Sequence, residues 1–402
     1  MTPSNRDCFF TSIALNYLSK ALALTTSVFA VHRATRMVIA IVDYRWLSAA
    51  QRDRLAAIAR QFSANGSQLE FLDPLTLYER PDLFRYKFNV VEACTSVKPA
   101  VAMALLDTAE TVTYLDPDTF MYSPLPAHPD ANDVWDVQLT PHVLAPAGKD
   151  GLISERLFMF YGTFNLGYFA VRRSAQSMKF LAWWKQFCVD FGADAPQAGL
   201  FVDQKPVDLL PSFIDRPDVL RHPGCNMAWW NIFCDGRHLE DDGRTVTFDD
   251  HASALVFFHF SNLDREPDAS KRLVANPLHL YADSHRRSRR MMDQPALERL
   301  YADYEASVAP WTAELATLTV PDGLKHRTHD APLTSRLLLS EALRRGMSYP
   351  GDPFEQSALS VAWRSLMYVL PQITRHDVKS VLSAVLGVAR LGLTSRVFRH
   401  TN

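Results

Sequence analysis

Two carboxylates placed two residues apart, Asp116 and Asp118, are where this sequence most plainly offers chemistry. They follow the apolar run from Val112 to Leu115 in TVTYLDPDTF. In an extended chain, residues i and i+2 project to the same side, so both carboxylates can reach one small cation. Pro117 restricts the backbone between them. Hard oxygen donors of this kind suit Mg²⁺ or Mn²⁺ rather than zinc. The chain has no other Asp-x-Asp. A polar turn after a strand would use the same residues, so their meaning depends on what the surrounding elements bring to the same edge.

Those elements read as an alternating series. The pattern predicts a strand over 9–15, an amphipathic helix over 17–30, a strand over 37–42 ending at Asp43, a helix over 48–62 and a strand over 69–72. Strands alternating with helices at this spacing imply an α/β fold with parallel pairing. A long helical region over 87–107 then precedes the strand over 112–115. In open α/β sheets, ligands bind at the carboxyl ends of the strands. Asn16, Asp43 and the Asp-Pro-Asp turn all fall at such ends. Further strands are expected over 133–139, 163–173 and 254–260, and helices over 151–162 and 174–191. Gly167, at the centre of its strand, marks a close backbone approach. QKPVDLLPSFI reads as a helix cut short by Pro211, with Asp203 able to serve as its N-cap.

Composition narrows the function classes. With 402 residues there is material for two domains. A net charge of −2 argues against nucleic acid as the main partner, because such binders carry a basic excess. Cys8, Cys94, Cys188, Cys225 and Cys234 are scattered and form no C-x-x-C, which points to a reducing compartment and to no structural zinc site. Polar residues interrupt the apolar stretch 9–30, which argues against an export signal or a membrane span.

Five segments in order resemble bacterial glycosyltransferases of the GT-A fold, closest to the family 8 type of retaining enzymes: FTSIALNYL, the Lys98 region with YLDPDT, TFNLGYFAV, VDQKPVDLL and FFHFSNLDRE. HPGCNMAWWN, residues 222–231, is similar to a segment of the same broad group. The resemblance covers residues 9–267. It implies a Rossmann-like mixed sheet with helices on both faces, and a nucleotide-sugar donor, most often a uridine diphosphate sugar. Asp116 and Asp118 match the family's metal pair, and His259 matches a histidine completing the metal shell. Asn16 and Tyr17 match residues near the base, with Asp43 beside them at the next strand end. Lys98 stands where the family has arginine, Arg265 where it has a lysine contacting the diphosphate, and Asn262 where it has glycine. Asn165 falls in the segment lining the sugar and acceptor site, and Asn226 is an acceptor candidate. Asp203 and Gln204 match a D-Q pair, in which the Asp holds the sugar and the Gln lies beneath the anomeric carbon.

The resulting expectation is a Mn²⁺- or Mg²⁺-dependent glycosyltransferase acting on a glycan, lipid-linked glycan or protein acceptor, with retention. Residues 1–270 would form the catalytic domain and 271–402 a helical C-terminal region making acceptor, oligomer or membrane contacts. A nucleotidyltransferase making nucleotide-sugars would also need an Asp-bound metal, but it usually carries a Gly-rich loop where this chain has Asn16-Tyr17. A non-catalytic nucleotide-sugar-binding scaffold is the third reading. The tail over 371–402 has five basic residues, Arg375, Lys379, Arg390, Arg396 and Arg399, flanking an apolar middle. That pattern suits a helix on an anionic membrane surface, and equally a core or dimer-forming helix. The localisation expected is cytoplasmic, with a peripheral position at the inner membrane face if the tail is the anchor.

Overall fold

The computed structural model describes residues 7–63, 66–127, 135–146, 155–232, 234–261, 294–318 and 331–372. A seven-stranded mixed sheet forms its centre. In chain order the principal strands are β1 (Asp7–Ile13), β2 (Arg36–Ile41), β3 (Gln68–Leu72), β4 (Thr111–Leu115), β5 (Thr119–Met121), β6 (Val137–Pro141) and β7 (Phe164–Arg172). Across the sheet the order is Pro217–Val219, β6, β7, β4, β1, β2, β3. Within it β7 runs antiparallel to both its neighbours, and the other pairings are parallel. This is the mixed α/β sheet, with helices on both faces, that the GT-A resemblance implies.

Strand alternation sorts the apolar residues onto those two faces. Phe10, Val38, Ala40, Val112 and Tyr114 pack on one side with Val101, Leu105, Phe180 and Trp184 of the helices Lys98–Leu106 and Ala175–Phe191. Phe9, Met37, Ile39 and Leu69 pack on the other with Leu22 and Val28 of Leu18–Val31 and Leu55 and Ile58 of Ala49–Phe62. The C-terminal helices lie on this body. Pro295–Glu314 packs against Leu18–Val31, with Trp311 stacked on Phe62 at 5.3 Å between ring centroids. Leu333–Arg344 and Ala358–Val369 pair with each other, and the first also meets Ala175–Phe191. The expected domain division at 270/271, Asn262, Arg265 and the tail beyond Gln372 lie outside the described residues.

Two expectations need correction. The region 87–107 is not one helix: it breaks into Val90–Ser96 and Lys98–Leu106 after a short helix, Pro81–Lys87. Asn89 caps the middle piece in a reciprocal capping box with Glu92, and Pro99 sits in the first turn of the last, where its missing N–H costs nothing. The segment after Gln204 is a 3₁₀ helix, Lys205–Ser212, with Pro211 inside it. Asp203 does not cap it; the cap position is Gln204, with no side-chain cap bond.

Candidate metal centre

β4 delivers Asp116 just past its last residue. The Asp116 N–H donates to Gly167 O at 2.9 Å, and its carbonyl accepts from Thr119 N at 3.0 Å, which fixes the turn. Tyr114, two residues earlier on the same side of the strand, donates its hydroxyl to Asp116 Oδ1 at 2.6 Å. Lys98, the first residue of its helix, adds its ammonium 3.3 Å from the same oxygen. Protein donors thus hold Oδ1, and Oδ2 faces His259 Nε2 at 3.6 Å.

His259 arrives from far along the chain. The strand Phe257–His259 pairs antiparallel with β5, setting His259 opposite Thr119. Its Nε2 lies 3.2 Å from Asp118 Oδ1. One oxygen from each aspartate and one imidazole nitrogen fall within 4.8 Å of one another, a donor set of two hard oxygens and one nitrogen that fits a divalent cation such as Mn²⁺ or Mg²⁺. Burial favours the neutral form of Asp118, but the His259 imidazole, with Lys20 and a backbone N–H adding to it, outweighs burial and holds the carboxyl below its usual range. Burial likewise disfavours charge on His259, and the Asp118 and Asp116 carboxylates overcome it, raising the imidazole. When protonated, this histidine is the counter-ion of both aspartates.

Lys98 is also buried, yet its pKa is raised: desolvation opposes the charge, and Asp116 and Asp203 more than compensate. It donates to Leu166 O at 3.2 Å and lies 3.1 Å from Asp203 Oδ2. That second contact is an ion pair off the hydrogen-bonding direction, so Asp203 Oδ2 has charge compensation but no hydrogen bond. Burial pushes the Asp203 carboxyl up to about 6 against the pull of Lys98.

Behind the charges lies a neutral layer. β7 slips in register where it meets β6: Leu139 faces Phe169, but Thr140 faces Asn165. The intervening residues 166–168 are freed from that ladder and turn toward β4 and Lys98. Gly167 has no room for a side chain, because a Cβ there would lie 2.5 Å from His259 Nδ1 and 2.8 Å from Asn165 Oδ1. The close approach expected at this glycine is therefore to the histidine itself. Asn165 and Asn226 are buried and spend their amides inside the protein. Gln204 does so too, accepting from Leu166 N at 3.0 Å and donating to Tyr161 O at 2.8 Å. Asp208, a carboxylate available as a base by type, is held by Thr163 N and Lys205, each at 2.8 Å.

Asn16 and Tyr17 sit exposed on the 3₁₀ turn after β1, and the Lys20 ammonium lies 4.5 Å over the Tyr17 ring. Asp43 is buried at the end of β2 and accepts from Leu15 N at 3.1 Å, which ties the first two strand ends together. Its other oxygen is 3.7 Å from Arg85, a buried guanidinium. The sequence has two tryptophan pairs, Trp183-Trp184 and Trp229-Trp230; Trp184 is core and donates to Asp203 O at 2.9 Å. Trp230 presses its ring edge-on to His259, at 5.1 Å between centroids. Tyr114, His142 and the Leu166 carbonyl belong to this centre without having been singled out in the sequence, whereas Trp230 stood out there with Trp229 as an acceptor candidate beside Asn226. Only Tyr114 had a signal, its i−2 spacing from Asp116. The five cysteines are free thiols, and none is among the metal-site donors.

No family model matches the chain. An uncharacterized protein, YfnF, of Bacillus subtilis (strain 168) is 30% identical over 176 residues, 42% of this chain and 56% of that protein. The chain thus matches little more than half the length of this curated relative. Among solved structures it is similar to mouse xyloside xylosyltransferase 1, with 12% identity, 65% of this chain and 99% of that one covered, and a TM-score of 0.39. A glycosyltransferase involved in glycosylation of the major capsid of PBCV-1 shares 12% identity over 64% of this chain and 94% of that one, at TM-score 0.35. The galactosyltransferase LgtC, in complex with donor and acceptor sugar analogues, shares 17% identity over 55% and 75%, at TM-score 0.34. Likeness at these scores decides neither fold nor reaction.

Proposed function

We infer that this chain is a metal-dependent glycosyltransferase that moves a sugar from a nucleotide diphosphate donor, most simply a uridine diphosphate sugar, to a glycan, lipid-linked glycan or protein acceptor, with retention. The observation that carries the reading is the convergence of Asp116, Asp118 and His259 within 4.8 Å at the carboxyl end of β4. A Mn²⁺ or Mg²⁺ held there supplies Lewis-acid charge to a departing diphosphate. Lys98 adds fixed positive charge behind Asp116, and Arg265 would do the same from the diphosphate side. Asn16, Tyr17 and Asp43 fit the nucleoside end, at the neighbouring strand ends. Asp203 and Gln204 fit the sugar, with the Gln204 carbonyl oxygen beneath an oxocarbenium-like centre; Asn165 borders it. Asn226 is turned into the protein, so a contact of its side chain with the acceptor would require it to leave His259. The turn after β1 is Leu15-Asn16-Tyr17, without glycine, which favours this reading over a nucleotidyltransferase.

Titrating uridine diphosphate with and without Mn²⁺ tests the reading: binding should require the ion, and Asp116→Asn or Asp118→Asn should cut transfer more than about 100-fold while leaving the thermal midpoint nearly unchanged. Nucleotide binding indifferent to Mn²⁺, or unchanged turnover in either variant, sinks it.

Residues 1–270 are proposed as the catalytic domain and 271–402 as the C-terminal region. No helix among the described residues is long and apolar enough to cross a membrane. Peripheral contact is proposed through the basic tail; the helix just before it, Ala358–Val369, leaves Leu359 and Trp363 72% and 61% exposed. If a chain ending at residue 370 still sediments with anionic vesicles as well as the full chain does, the tail is not the anchor.

A further inference from the structure

The second face of the sheet, the one packed under Leu18–Val31 and Ala49–Phe62, turns polar toward the amino end of β4. In register across β1, β4, β7 and β6 stand Phe9, Thr113, Ala170 and Gln138. The next row toward that end is Asp7, Thr111 and Arg172. Their neighbours that point the other way, Val112, Tyr114, Val137, Leu139 and Val171, belong to the opposite core. With an alanine between threonine and glutamine, the first row leaves a recess. Residues 32–35, residues 125–127 and Trp135 wall it in, and the cavity measures about 330 Å³. Thr111 is five residues before Asp116, so the cavity and the metal centre lie at opposite ends of β4, about 17 Å apart along the strand.

Part of the lining is committed and part is not. The Gln138 Oε1 accepts from the Tyr168 hydroxyl, and its Nε2 donates to Asp218 Oδ2 at 2.6 Å, which braces the floor. His32 accepts the Leu125 N–H on Nε2 at 3.2 Å and so ties two walls together. Burial lowers the pKa of His32, so it adds no charge at neutral pH. Arg172 lies over the Trp135 ring, its guanidinium carbon 4.4 Å from the centroid. That contact positions the guanidinium without using its N–H donors. Among the described residues no carboxylate pairs with Arg172 or with Arg33, and the hydroxyls of Thr111 and Thr113 have no hydrogen-bond partner. The charged groups on the lining are Arg33 and Arg172 against Asp7, a net of one positive charge.

We propose that this cavity is a second binding site, for an acidic sugar: a polyhydroxylated ring carrying one carboxylate or phosphate. The anion goes to Arg172, whose planar fork matches either group with two parallel hydrogen bonds, and Thr111, its cross-strand neighbour, adds a hydroxyl. Asp7, on the far side of Thr111, accepts from sugar hydroxyls, and Thr113 can donate or accept. The C–H faces of the ring meet Phe9 and Trp135. A bare phosphate would leave most of the cavity unfilled. An apolar ligand would strip water from Arg172 and the two threonines without replacing it. The inference does not rest on the metal reading, since the two places share no side chain. Their separation also means that the occupant is not the sugar being transferred.

Threonine-methyl spectra of the full chain, titrated without Mn²⁺ with glucuronate, glucose 6-phosphate, glucose and inorganic phosphate, test this directly. The Thr111 and Thr113 methyls should shift saturably with glucuronate or with glucose 6-phosphate, and the tighter of the two names the anion. That ligand should bind about 10-fold or more tightly than glucose or inorganic phosphate. Equal affinity for glucose would show that the anion is not read, and equal affinity for inorganic phosphate that the sugar is not; either overturns the proposal, as does the absence of a saturable shift with both acidic sugars. Arg172→Gln should weaken binding about 10–100-fold, and Arg172→Lys should recover only part of it. Unchanged affinity in Arg172→Gln overturns the proposal; if that variant does not fold, the wild-type titrations decide alone. Asp116→Asn should bind the acidic sugar as wild type does, and loss of binding there would place the ligand in the metal centre and overturn the second site. A chain that binds the acidic sugar but shows no Mn²⁺-dependent nucleotide binding would refute the transferase reading and leave this site standing.

Discussion

The two sides of the centre solve burial differently. On the β4 side, Asp116, Asp118 and Asp203 face Lys98 and His259, so charge is balanced by charge over 3.1–3.6 Å. On the β7 side, His142, Asn165, Asn226 and Asn231 are buried and uncharged, and each amide points in a direction set by a backbone group. The first side can exchange one cation for another. The second cannot rearrange without leaving a buried donor or acceptor unmade, which costs about 1–3 kcal/mol per group. A site that must take up and hold a divalent ion gains from having both: adjustable charge in front and fixed geometry behind.

Removing the fixed cation should disturb this arrangement most. Lys98→Met leaves Asp116 and Asp203 without their shared counter-ion, and breaking such a buried pair costs about 3–5 kcal/mol. Urea unfolding should show that loss, and saturating Mn²⁺ should recover part of it; a loss under 1 kcal/mol would mean that Lys98 is not the balancing charge. The neutral side is probed by Gly167→Ala, whose methyl would meet His259 and Asn165 at 2.5 and 2.8 Å. About 3 kcal/mol of destabilisation is expected, the upper range for overpacking. An unaffected unfolding midpoint would show that the layer can move after all.

The third probe is pH. The folded-state pKa of His142, about 4, lies below its ordinary value of 6.5. Between those values the unfolded chain binds more protons, so the neutral ring's contribution is intact above about pH 6.5 and is lost as pH falls toward 4. From pH 7 to pH 5 the wild-type chain should lose about 2 kcal/mol that His142→Gln does not. Asp203, raised to about 6, acts with the opposite sign: its contribution is full below its ordinary carboxylate range and is lost as pH rises through about 6. Equal pH slopes in wild type and His142→Gln would contradict the neutral assignment.

The same division governs how much could be read from sequence. The alternation of strands and helices was legible because apolar spacing is local, and most strand ends within a residue or two followed from it; the strands expected over 133–139 and 254–260 instead begin at Val137 and Phe257. Asp116 and Asp118 were legible from their spacing at a strand end, while His259, by type as readily a core histidine, was legible only through the family resemblance. The broken helix at Asn89 and Pro99 had a readable signal in Asn-x-x-Glu and Lys-Pro, which the continuous apolar pattern obscured. The amide layer was not legible. Asn165 and Asn226 are common residue types, and their pairing depends on a register slip at Leu139/Thr140 and on a left-handed backbone at Asn226, neither of which is encoded in any spacing. His142 looks like any buried histidine until its partners are known.

The two-stranded ribbon joining β5 to Phe257–His259 has a consequence for how the protein is made. During synthesis both aspartates leave the ribosome long before the histidine does, and the parallel strands β1 to β4 can already pair. The third ligand must then close a loop of well over a hundred residues to dock beside Thr119, an entropic cost that is met only once the rest of the sheet is in place. On the metal reading, a divalent ion would therefore meet two carboxylates early and a complete set of donors late. Such an ion would be captured by a finished fold and would not template one.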